Sequence, residues 1–285
     1  MKRTAVLISI VSLFLFMIGP GCRNEPDTPD IQTQEMQKKL EKTIKGASKS
    51  LQSNPEDASA YNNRGGAYLS QGDYPQAVAD LSRAISLDPE FAEAYNNRGV
   101  AYKYLGEYDK AIFDFTKLAE LSPEDPKAPF NMGDIYNVTR LYEEAVEAYS
   151  NAIRLNPQNA AAYANRGIAF KNLQNLEAAV TDYSKALELN PKLPLTYNNR
   201  GNVYFVMEMY PEAVYDYTRA LQLNPELAIA YSGRGFVYEK IGMLREALQD
   251  FKNFIQFAPE SYTEYKDEIA ERIKALEAKT KQVSG

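Results

Sequence analysis

The apolar side chains from Ala58 onward fall into short amphipathic stripes separated by turn residues. Tyr95, Gly99 and Tyr102 stand at i, i+4 and i+7, one face of a helix. Gly106 follows, the residue type best suited to the left-handed conformation just past a helix end. Tyr108, Ala111, Phe115 and Leu118 then mark the buried face of a second helix, and Pro123 stops it. The pattern predicts a helix–turn–helix unit in which Gly99 lets the second helix approach closely.

The unit recurs with a period of 34 residues. Tyr61, Tyr95, Tyr163, Tyr197 and Tyr231 keep this register, with Pro129 in the missing place, and Tyr265 extends it. Pro55, Pro89, Pro123, Pro157, Pro191, Pro225 and Pro259 repeat in phase, as do Ala77, Ala111, Ala145, Ala179, Ala213 and Ala247. A single hairpin cannot bury its apolar stripe, so neighbours must stack and the array needs polar ends. Residues 35–57 supply an N-terminal capping helix and residues 262–285 a C-terminal capping helix and tail. In the latter, Tyr265, Ile269, Ile273 and Leu276 form one stripe among lysines and glutamates.

These residues resemble the tetratricopeptide repeat. The resemblance covers six units over residues 58–261 and implies an all-α, right-handed superhelical solenoid with capping helices. It places the first helix of each unit on the concave side, where ligands of the family bind. The residues expected there are Asn63, Asn97, Asn131, Asn165 and Asn199, with Asn62, Asn96, Asn198 and Asn202 adding further amides. An Asn carboxamide offers an acceptor and two donors, which match the main chain of an extended peptide. The row is similar to the asparagine ladder of O-linked N-acetylglucosamine transferases. The competing reading makes a single Asn per unit a solvated residue without a ligand. A carboxylate clamp of the chaperone-binding kind would fall on Asn62, Gly66, Asn97, Lys127 and Asn131, and only two of those places carry the matching type.

Comparison of the units with one another exposes a second pattern. Arg64, Arg98, Arg166, Arg200 and Arg234 each precede an aspartate by sixteen residues: Asp80, Asp114, Asp182, Asp216 and Asp250. Unit three departs at both places together, with Met132 and Ala148. The coincidence predicts an ion pair between the two helices of each unit. The alternative, an arginine row that binds acidic ligands, is countered by the matched aspartates.

The chain opens differently. Met1-Lys2-Arg3 precedes an apolar run from Ala5 to Ile18, and Gly19-Pro20-Gly21 precedes Cys22. The run is shorter than the roughly 20 residues that span a bilayer, so residues 1–21 read as a secretory signal. This leader resembles that of bacterial lipoproteins, with Gly19 in place of the usual Leu and an unusual Pro20. The resemblance implies lipidation of Cys22 and an anchor in the cell envelope, at an outer membrane facing the periplasm. Ordinary secretion is the alternative. Residues 22–34, rich in Pro, acids and amides, read as a flexible tether.

Composition narrows the chemistry. With no histidine and one cysteine, general acid–base catalysis near pH 7 and multi-cysteine metal sites lose their usual residues. The net charge of −6 offers no footprint for a phosphate backbone. No nucleophile elbow or phosphate loop is present, and Gly233-Arg234-Gly235 lacks a third glycine. The expectation is a non-catalytic scaffold without cofactor or metal, whose partner is a protein or peptide, with membrane contact through the lipid and no nucleic acid. A pilotin-like assembly factor for a secretin or pilus and a secreted soluble adaptor are the alternatives.

Overall fold

The computed structural model describes residues 31–283. The leader and Cys22 lie outside the described residues. Among those described there are fourteen α-helices, one 3-10 turn and no strand. The described residues divide into two compact units, 31–173 and 174–283.

The first unit contains α1 (Ile31–Ser53), α2 (Ala58–Gln71), α3 (Tyr74–Leu87), α4 (Ala92–Leu105), α5 (Tyr108–Leu121), α6 (Lys127–Val138), α7 (Tyr142–Leu155) and α8 (Ala160–Asn172). Each helix packs on the next, and α2, α4, α6 and α8 also touch in sequence, so these first helices form a continuous face. The second unit contains α9 (Leu176–Leu189), α10 (Pro194–Val206), α11 (Tyr210–Leu223), α12 (Ala228–Lys240), α13 (Leu244–Phe257), a 3-10 turn (Glu260–Tyr262) and α14 (Thr263–Val283). Here α10 touches α12 in the same manner. Helix α1 begins at Ile31, inside the segment read from sequence as tether, and no described helix is long and apolar enough to cross a membrane.

Local chemistry accounts for the boundaries. Asp57, Asp73, Asn159 and Asn175 cap α2, α3, α8 and α9 through side-chain oxygens that accept backbone N–H groups. The turn between the helices of a unit always holds one left-handed residue. Gly72, Gly106 and Gly242 fill this place in three units, whereas Arg140, Gln174 and Glu208 adopt φ of 64°, 60° and 59° in the others. A non-glycine residue there is strained.

Small clusters rather than one central core bury the apolar surface. Ala111, Phe115, Leu118, Ala128 and Ile135 form one; Phe236, Phe251, Phe254, Tyr265 and Ile269 belong to another that closes the C-terminal end. Close approach explains Gly99, where a Cβ would lie 2.8 Å from the Phe115 ring.

Candidate functional site

The first-helix face is set by one turn of phase. The Asn63 register (Asn97, Asn131, Asn165 and Asn199) is half-buried, apart from Asn63 itself, which is exposed. One residue earlier, the helix rotates the side chain by about 100°, towards the neighbouring helix. Asn62 and Asn198 are accordingly buried, at 3% and 1% exposure, and Asn96 is half-buried. The doubled asparagines expected on the ligand face therefore include two that point into the interior, which corrects the reading of Asn62 and Asn198 as contact residues.

Within residues 31–173 the amides are already joined in a network. Asn97 donates to Asn62 Oδ1 (3.2 Å), and Asn96 donates to Asn97 Oδ1 (3.3 Å). Lys103 Nζ donates to Asn131 Oδ1 and Asp134 Oδ2, each at 2.9 Å. The same carboxylate accepts from the Tyr149 hydroxyl (2.8 Å) and from Asn165 Nδ2 (3.1 Å). Burial and the adjacent Asp134 charge push the Tyr149 hydroxyl pKa well up, so it stays a donor. Asn137 Nδ2 donates to the Asn165 carbonyl (3.0 Å). Asn131 thus spends its oxygen and keeps its two amide hydrogens, whereas Asn165 donates an amide hydrogen to Asp134 and keeps its oxygen. Asn131 and Asn165 set a donor beside an acceptor, oriented by Lys103 and Asp134, whereas Asn97 has both ends of its carboxamide engaged. The sequence pattern did not reveal these two charged residues, because Lys103 and Asp134 repeat nowhere else as a pair.

Residues 174–283 carry the pattern differently. Asn202 Oδ1 accepts from the Tyr217 hydroxyl at 2.6 Å, so it serves the interior instead of a ligand. In α12 the amide row stops at Gly233, where a Cβ would stand 2.6 Å from the Tyr217 ring. The break follows from packing. Exposed Leu195 and Val206 flank Asn199 and Asn202 in α10.

The arginines are not on offer. Arg64, Arg98, Arg200 and Arg234 grip Asp80, Asp114, Asp216 and Asp250 through Nε and Nη2 at 2.6–2.9 Å. Nη1 of each donates to a hydroxyl sixteen residues upstream: Ser48, Ser82, Ser184 and Thr218. Arg166 Nη1 makes the same contact with Ser150 at 2.9 Å, and Asp182 is buried in its own unit. Tyr95 and Tyr102 hold the Arg98 guanidinium 5.7 and 5.8 Å from their ring centroids. Burial pushes the Asp114, Asp216 and Asp250 carboxyls above the usual carboxylate range, against the pull of their arginines. Sequence reading missed the hydroxyl. Its signal was a third register, Ser48, Ser82, Thr116, Ser150, Ser184 and Thr218, in phase with the arginines.

Family models place this geometry. Models described as tetratricopeptide repeat or TPR repeat match residues 47–79, 65–106, 92–125, 142–174, 169–207 and 194–227. The chain carries tetratricopeptide repeats. Among solved structures, the repeat array is similar to MamA, at 26% identity over 55% of this chain and 92% of that one, with a TM-score of 0.53. It is also similar to YrrB, a TPR protein with an unusual peptide-binding site, at 23% identity over 65% of this chain and 95% of that one, TM-score 0.54. Similarity to the Cut9–Hcn1 structure covers 86% of this chain and 47% of that one, at 19% identity and a TM-score of 0.67. No curated protein sequence matches the chain. Tetratricopeptide arrays of this kind support a role in protein–protein interaction.

Proposed function

We propose that this protein is a non-catalytic scaffold that holds an extended peptide segment of a partner protein on the first-helix face of residues 31–173. The carrying observation is the arrangement of Asn131 and Asn165. Each spends one end of its carboxamide on Lys103 or Asp134 and presents the other. A pre-oriented donor beside a pre-oriented acceptor suits main-chain N–H and C=O groups and costs little ordering on binding. The peptide-binding site of YrrB supports the same use of the fold. Lipidation of Cys22 would tether this scaffold to the bacterial cell envelope, at the outer membrane, where tethering raises the effective concentration of partners.

A photoreactive residue in place of Asn131, introduced into the full chain in cells, tests the reading. Capture of one partner protein, competed by its peptide, is the expected result. Equal capture from the exposed second-helix position Glu147 would remove the face from consideration.

A further inference from the structure

Helix α1 carries a charge pattern foreign to the rest of the molecule. Lys38, Lys42, Lys45 and Lys49 stand at i, i+4, i+7 and i+11, and all four are exposed. At about 100° per residue they fall within an arc of about 60°. Ala47 and Leu51, on another side of the helix, are buried where α1 packs on α2. None of the four ammonium groups meets a carboxylate among the described residues, although salt bridges occur elsewhere on the surface. The helix holds five lysines against Glu35 and Glu41, in a chain whose net charge is −6. An array that needed only a polar end could take either sign, and an acidic cap would match the remaining sequence. Four lysines aligned on one side without partners mark a surface that faces a negative layer.

We infer that the Lys38–Lys42–Lys45–Lys49 stripe docks α1 on an anionic phospholipid bilayer. For its occupant the inference rests on the membrane tethering proposed above. Cys22 lies nine residues before Ile31, so an extended connection reaches at most about 30 Å. A lipid there would keep α1 at the bilayer surface. A basic patch adds an electrostatic attraction to anionic headgroups beside the lipid anchor. Charge complementarity favours phospholipid over nucleic acid, because the acidic remainder of the chain would repel a long polyanion that runs along it. Docking on this helix would set the orientation of the array relative to the membrane.

The test uses the full chain with Cys22→Ser, which removes the acylation site, and measures co-flotation with vesicles. Phosphatidylcholine vesicles are compared with vesicles that also contain phosphatidylglycerol, and any binding by the apolar leader is common to both. The anionic vesicles should bind about tenfold better or more, with the preference lost at high salt. Replacing all four lysines by Gln should bring the ratio to about one with helicity unchanged, and replacing them by Arg should preserve it. An equal ratio for the Gln variant and its parent overturns the proposal. So does a ratio of one for the parent with lysine-dependent binding of a fluorescent oligonucleotide, which would reassign the stripe to nucleic acid. Failure of the tether is read separately, as absence of labelled palmitate on Cys22 in cells, and leaves the vesicle ratio unaffected.

Discussion

Arg98 and Asp114 are joined by two parallel hydrogen bonds of 2.8 Å, with the carboxylate almost wholly removed from solvent. Ser82, on the preceding second helix, receives the remaining Nη1. One guanidinium therefore links three helices, α3, α4 and α5. Such a pair adds little net stability because both charges lose water, yet breaking it strands a buried ion. Arg98→Met should cost about 3–5 kcal/mol. Arg98→Met with Asp114→Ala should recover most of that loss, as judged by urea denaturation. Additive losses would show that the residues act independently.

The third unit permits the reverse experiment. Met132 and Ala148 stand where the other units carry Arg and Asp, and Ala148 is buried. Ala148→Asp alone should destabilise by about 3 kcal/mol or more, an unpaired buried carboxylate. Adding Met132→Arg should return most of it. If the double variant is no more stable than the single one, the backbone of this unit does not present the two positions for pairing.

Asn97, Asn131 and Asn165 replaced together by Ala should leave far-UV helicity intact and abolish partner capture. Alanine favours a helix by roughly half a kcal/mol over Asn at each site, which partly offsets the lost hydrogen bonds. Undiminished capture would move binding away from the first-helix face.

Gly233→Asn would complete the amide series on paper. Its Cβ would enter the Tyr217 ring at 2.6 Å, and overpacking of this kind costs about 1–3 kcal/mol. The variant should melt below the parent. A melting temperature at or above the parent value would mean that Tyr217 moves aside without penalty.

Repetition made most of the fold legible. A 34-residue period in tyrosine, proline and alanine announces paired helices because each unit solves the same burial problem with the same residue types. The Arg–Asp spacing was readable for the same reason, since Met132 and Ala148 change together. Orientation within the asparagine pairs was less accessible. Asn62 and Asn63 are adjacent letters, and only the packing of α2 beside α4 turns one inward and leaves the other in solvent. The Lys103–Asp134 contact occurs once and has no period to betray it.

The amino-acid sequence by itself determined the helices, their pairing and the residues that mark each buried stripe, because these follow from local spacing repeated in phase. Tertiary structure alone decided which amide atoms remain available. Hydrogen-bond partners such as Asp134 and Tyr149 come from different helices, and their meeting depends on how those helices stack. It likewise supplies the reason that the amide row ends at Gly233, since the ring that excludes a side chain there arrives from the neighbouring unit's second helix.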